Sequence, residues 1–116
     1  MIERKWEHEG MTCCIRHGVF GAPCGYVRVP EGHPLFGAGI DKAEASGIAA
    51  YGGITFAGEL RDPNVDGWWL GFDMGHAFDM RYDRRTREFV PKRTDRECIG
   101  ETETLAVQLA TMEGGL

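Results

Sequence analysis

The apolar positions of this chain fall into four short runs and one helical stripe. Thr12 to His17 is a short apolar-rich run that predicts a strand, and Gly25 to Val29 predicts a second. In the second, Val27 and Val29 share one face while Tyr26 and Arg28 take the other, the two-residue period of a half-buried strand. Gly18, Gly21 and Pro23 between them supply turn chemistry, so the two runs read as a hairpin. Ile54 to Ala57 follows Gly52-Gly53 as a third strand, and Trp68 to Asp73 is a fourth, strongly apolar one. Thr94 followed by Glu97 fits the capping box that opens a helix. Cys98, Thr102, Leu105, Leu109 and Met112 then recur at intervals of four and three, and Gly114-Gly115 stops the pattern. Pro30 to Gly39 reads as a structured loop, Asp41 to Ala50 as a helical turn or two interrupted by Gly47, and Leu60 to Gly67 as a polar loop. Gly75 to Val90 reads as loop with local turns. The expected fold is α+β: one domain over residues 1–116, with an antiparallel sheet of about four strands. A C-terminal helix packs the sheet, and the loops are long and glycine-rich.

Composition changes this picture in two ways. Glycine is about twice as common as usual, 17 of 116 residues, which points to turns and to backbone approaching something closely. The net charge is −5, and the only basic cluster, Arg81 to Arg96, is diluted by Asp83, Glu88 and Asp95. A nucleic-acid polymer is therefore an unfavoured partner, whereas a small anionic ligand is not. No apolar run approaches the ~20 residues of a membrane span, and the charged stretch Met1 to Gly10 does not resemble a signal peptide. Cys13, Cys14, Cys24 and Cys98 form no CxxC pair and read as reduced thiols of a cytoplasmic protein. Adjacent in a strand, Cys13 and Cys14 would face opposite ways, which argues against a zinc site.

Three segments combine glycine with polar groups able to act on a ligand. In the first, His33 precedes Pro34 and so takes an extended conformation on a rigid loop. Its imidazole would either meet an anion or metal, or hydrogen-bond a nearby carbonyl and pin the loop. In the second, Gly52 and Gly53 lead from Tyr51 towards Thr55, where exposed amides could form an anion nest, or a plain turn. The third places Asp73, His76 and Asp79 three residues apart, a spacing compatible with a metal set or an acid–base pair. Asp73 could equally end its strand by accepting from the turn amides. Of Trp68 and Trp69, one indole should face the core and the other could stack on a planar ring.

The strings CGYVRVPEGHPLFG (Cys24 to Gly37), YGGITFAG (Tyr51 to Gly58) and WWLGFDMGHAFD (Trp68 to Asp79) resemble a family of small bacteriophage and prophage proteins. That family's pattern runs GYVxVPxGHPLYG, HGGLTYAG and WWFGFDCAHAGD, with a terminal Leu-Ala-x-Gln-Leu helix, here Leu105 to Leu109. Tyr51 stands where histidine is usual and Met74 where cysteine is usual, which weakens a metal reading. The family carries no established activity. By analogy of size and genomic setting, the resemblance implies a homo-oligomeric binding protein that sequesters a host nucleotide immune signal. Arg28, His33, Phe36, Tyr51, Gly52, Gly53, Thr55, Trp69, Asp73 and His76 are then the expected ligand contacts, with no cofactor. One alternative is a metal-assisted hydrolase of a nucleotide or phosphodiester, using Asp73, His76 and Asp79. Against it, the chain has no GxSxG, P-loop or HExxH motif. The other alternative is an inhibitor acting on a host defence factor through protein surface alone.

Overall fold

The computed structural model describes residues 2–112. Five strands form one antiparallel sheet: β1 (Arg4–His8), β2 (Met11–His17), β3 (Pro23–Val29), β4 (Phe56–Gly58) and β5 (Trp68–Asp73), in the order β1-β2-β3-β5-β4. The expected α+β architecture is present, and the expected hairpin is the β2–β3 pair, with Cys13 opposite Val27 and Ile15 opposite Gly25. Alternation along each strand sorts the side chains. Cys13, Ile15, Val27, Val29, Leu70 and Phe72 go to one core, and Cys14, Cys24, Tyr26 and Trp69 to the other face.

The first face is covered by the long helix. A short helix, α1 (Ile40–Ala45), lies in the loop after β3, and α2 (Asp95–Thr111) crosses the sheet. Thr94 caps α2: its hydroxyl accepts from Glu97 N while the Glu97 carboxylate accepts from Thr94 N, at 3.1 and 2.9 Å. Cys98, Thr102, Leu105, Ala106 and Leu109 are buried, which is the predicted stripe, with Met112 packed at its margin. The helix ends at Thr111, and the predicted stop at Gly114-Gly115 lies outside the described residues. Close approach of α2 depends on Gly25. A Cβ there would stand 2.0 Å from Thr102 Oγ1 and 2.7 Å from the Phe72 ring. Leu35, Ala38, Ala43, Ile48 and Ile54, from the long connection between β3 and β4, complete this core.

Three regions differ from expectation. The third strand, expected over Ile54 to Ala57, is β4 at Phe56–Gly58, because Ile54 N donates to the Glu44 carboxylate instead of to a neighbouring strand. The charged N-terminus forms edge strand β1, because Glu9 and Gly10 both take positive φ (51° and 74°) and turn the chain back onto β2. On the face of β1 towards α2, Trp6 and His8 both meet Glu103, while Arg4, Lys5 and Glu7 are exposed, so charges mask the period. Residues 75–90, expected as loop, contain β6 (Met80–Asp83), which with β7 (Glu88–Pro91) makes a separate two-stranded ribbon.

Gly25→Ala should cost about 3 kcal/mol or prevent folding, through overpacking against Thr102 and Phe72. Thr94→Ala should cost about 1 kcal/mol by loss of the cap. Urea titration of both variants, followed by circular dichroism, measures the two costs.

Candidate functional site

Several expected ligand contacts have other work. His33 pins its loop. Leu35 N donates to its Nδ1 at 3.0 Å, which leaves the proton on Nε2, and Nε2 donates to the Leu109 carbonyl at 2.8 Å. Both nitrogens are therefore engaged within the fold, the second of the two roles expected for this residue. Trp69 is only 1% exposed. Its indole lies under residues 59–67 and donates to the Asp66 carbonyl at 2.9 Å, so it presents no free face for stacking. The stacking role assigned to Trp69 is corrected on that ground. Arg28 pairs with Asp66 at 3.5 Å and is roofed by Gly67, where a Cβ would come within 2.3 Å of its Nε. Phe36 is exposed on the loop after β3.

Tyr51, Gly52 and His76 converge around Asp79, with Asp73 beside the same imidazole, while Thr55 lies apart next to Phe56. The Asp79 carboxylate is fully buried. Its Oδ1 accepts from the Tyr51 hydroxyl and, at 3.1 Å, from Arg93 Nε. Its backbone accepts from Lys92 N at 2.7 Å, so one residue joins the segment after α1, the turn at Ala77–Asp79 and the connection between β7 and α2. His76 Nδ1 faces Asp79 Oδ2 at 3.4 Å and Asp73 Oδ1 at 3.7 Å. Neither that nitrogen nor that oxygen has a hydrogen-bond partner. The imidazole is held between Phe78, stacked at 5.2 Å, and Gly52, where a Cβ would come within 2.7 Å of Cε1. Gly52 and Gly53 both take positive φ, 67° and 98°, and form a turn, so Tyr51 and Thr55 do not share a regular strand. Asp73 ends β5 and accepts from Gly75 N at 3.0 Å, the turn role expected of it.

Burial disfavours the Asp79 anion, but the Tyr51 hydroxyl, Arg93 and His76 outweigh it and hold its pKa below the ordinary value. Tyr51 is pushed up by burial and by Asp79, so it stays protonated and donates. The Asp79 and Asp73 carboxylates stand at 3.4 and 3.7 Å from His76 Nδ1, within ion-pair distance of it but without a hydrogen bond to it. Asp73 Oδ1 and Asp79 Oδ2, of the alternative metal set, both approach the same imidazole nitrogen of His76. Among the described residues, no group of three or more His, Cys, Asp or Glu side chains is arranged around a metal position.

Beside this cluster, the sheet face away from α2 carries two open grooves. One, of about 320 Å³, is lined by Cys24, Tyr26, Thr55, Phe56, Asp73 and Gly75. The other, of about 490 Å³, is lined by Arg16, Phe56, Glu59 and Arg61 among others. Phe56 walls both. It meets Tyr26 edge-on at 5.4 Å across Gly71, which pairs with both residues and where a Cβ would come within 2.4 Å of the tyrosine ring. Arg16 lies over this pair, its guanidinium 4.8 Å from the Tyr26 ring centre and 5.9 Å from that of Phe56. No protein-family model, curated protein or solved structure matches the chain. The phage-family resemblance therefore rests on the three motifs and the Leu105 to Leu109 helix pattern alone.

Sequence reasoning missed Arg16, Phe56 and Arg93. Arg16 was within reach, since strand alternation puts it on the same face as Cys14, and Phe56 stands inside a quoted motif. Nothing near Arg93 in the sequence points to Asp79. All four cysteines are buried free thiols, and burial pushes Cys13, Cys14 and Cys98 up to about 12, so they are poor nucleophiles.

Because the folded Asp79 pKa is depressed, its stabilisation is complete above the ordinary value of 3.8 and is lost as pH falls through the lower folded value. Asp79→Asn should lower stability at neutral pH and flatten the acid limb of the stability curve. Thermal melts of both proteins between neutral pH and pH ~3 test this. Equal slopes below pH ~4 would remove Asp79 from the account.

Proposed function

We propose that the chain binds a small anionic ligand with a planar ring, of the nucleotide class, on the open sheet face, and holds it unaltered. A phage-encoded protein that sequesters a host nucleotide signal would work in this way. The observation that supports this reading is the arginine–aromatic stack at the groove wall: Arg16 over Tyr26 and Phe56. Phe56 offers a ring for a base to pack on, and Arg61 lies in the same groove to meet phosphate together with Arg16, whose Nε and Nη1 donate to the Tyr26 hydroxyl and the Leu60 carbonyl and whose Nη2 is left over. On the other side of Phe56, Thr55 and Asp73 can hydrogen-bond exocyclic amines or sugar hydroxyls. The site thus keeps Thr55 and Asp73 of the expected contacts, with His76 behind Asp73, and adds Arg16 and Phe56 in place of His33 and Trp69. A second copy of the chain laid over this face would enclose the ligand, in keeping with the expected homo-oligomer.

One observation favours a second reading. His76 Nδ1 stands 3.4 Å from the buried Asp79 carboxylate, at ion-pair distance and not hydrogen-bonded, so the same ligand could be hydrolysed with the imidazole, oriented by that charge, taking a proton from water. Incubation with a nucleotide pool, gel filtration and native mass spectrometry, followed by heat release of the ligand, separates the two. Sequestration predicts a bound nucleotide recovered unchanged, affinity about tenfold weaker in Arg16→Gln, and binding largely retained in His76→Ala. A recovered ligand that is cleaved in the wild type but intact in His76→Ala would establish the hydrolase. Absence of any bound nucleotide would leave the surface-inhibitor alternative.

A further inference from the structure

The β6–β7 ribbon carries features that the sheet face does not use. Seven of the chain's thirteen basic residues lie between Arg81 and Arg96, leaving six bases against fifteen acids elsewhere. In the sequence this cluster is diluted by three acids, but the structure commits two of them. Asp83 accepts from Arg85 N at 2.9 Å and from Thr86 N at 3.4 Å, which shapes the tip, and Asp95 contacts His17 at 2.8 Å. The tip residues Arg84, Arg85 and Arg87 have no carboxylate within ion-pair distance among the described residues.

Register then separates charge from aromatic surface. Asp83 pairs with Glu88, and Tyr82 pairs with Phe89, so these two pairs occupy opposite faces of the ribbon. Tyr82 and Phe89 meet edge-on at 5.2 Å, and Phe20 leans on Phe89 at 5.8 Å. All three are about half exposed or more: 49%, 50% and 60%. Phe20 holds this place with φ of 57°, a conformation unfavourable for a side chain of its size. A groove of about 400 Å³ runs along Phe20, Arg87, Phe89 and Val90, with Glu88 as its one acid.

We propose that this arm binds single-stranded nucleic acid, with bases stacked on Phe20, Tyr82 and Phe89 and phosphates met by Arg84, Arg85 and Arg87. Aromatic rings flanked by unpaired arginines are the elements of sequence-tolerant single-strand recognition. Single strands are favoured over duplex because exposed rings gain only from bases free to unstack. The net charge of −5 does not oppose this, since charges beyond the ~8 Å screening length contribute little at physiological salt. The exclusion of nucleic-acid polymers drawn from composition therefore applies to the body of the protein and not to the arm.

The test is fluorescence anisotropy with a labelled oligothymidine about ten nucleotides long, its duplex with oligoadenine, and polyglutamate as competitor, across a salt series. The wild type should bind the single strand more tightly than the duplex, and polyglutamate should compete poorly. Joint replacement of Arg84, Arg85 and Arg87 by Gln should flatten the slope of log affinity against log salt by about 2. Phe89→Ser with Tyr82→Ser should weaken binding about tenfold or more at fixed salt. Arg16→Gln should leave it unchanged, which keeps this site distinct from the nucleotide groove. The arginine variant alters only exposed tip residues and remains informative if the aromatic variant misfolds. No single-strand binding, equal affinity for duplex, full competition by polyglutamate, or arginine variants that bind like wild type would each overturn the proposal. So would arm variants whose only effect is to dissociate a dimer.

Discussion

Helix α2 reaches the sheet only because β3 has no side chain at Gly25. There the Thr102 hydroxyl, turned back onto the Cys98 carbonyl at 2.7 Å, and the Phe72 ring occupy the space that a Cβ would need. That contact brings Cys98, Leu105 and Leu109 down onto Cys13, Ile15 and Val27 and closes the larger core. It also decides what is left over. With α2 committed to one face, the other is covered in part by residues 59–67, packed on Cys14, Tyr26 and Trp69. The uncovered part, around Phe56, is where the grooves lie. A second glycine, Gly71, works the same way there, letting Tyr26 and Phe56 meet above the backbone.

Polar side chains hold the long connections where apolar packing does not. His33 ties the loop after β3 to the end of α2, Gln108 brackets Ala49 through both its amide and carbonyl at 2.7 Å, and Trp68 donates to Ala38. Asp79 does this for three segments at once. Its buried charge is tolerable because Tyr51 and Arg93 both address it, although one of its oxygens and the nearest imidazole nitrogen remain unmatched. That mismatch separates the Asp79 cluster from the other ties: it is the one whose polar capacity is unspent.

Features that depend on neighbours in sequence were legible. Alternation in β3, the Thr94–Glu97 box, the α2 stripe and the turn at Asp73 each follow from residues a few positions apart. Cys13 and Cys14 parting to opposite cores follows from the strand period alone. What was not legible depends on distant partners. Composition marks Trp69 as a stacking candidate, and only the loop from 59 to 67 buries it. Strand β1 is mostly charged because it is an edge with a solvated face, and β6–β7 buries too little to show a period. Arg93 meets Asp79 through the chain reversal of the ribbon, which no local pattern encodes. Within the candidate site, Tyr51, Gly52, Asp73, His76 and Asp79 were found, whereas Phe56 and Arg16, three strands apart in the sheet, were not.

The order of these elements along the chain also bears on how the protein is made. Synthesis runs from the N-terminus, so β1, β2 and β3 emerge as a local meander long before α2 exists. Until residues 95–111 follow, the strip formed by Cys13, Ile15, Val27 and Val29 has no lid, and a nascent or prematurely terminated chain would display it to solvent and to other chains. The window between translating the strands and translating their cover is thus the period in which this protein is most exposed to chaperones and to misassociation.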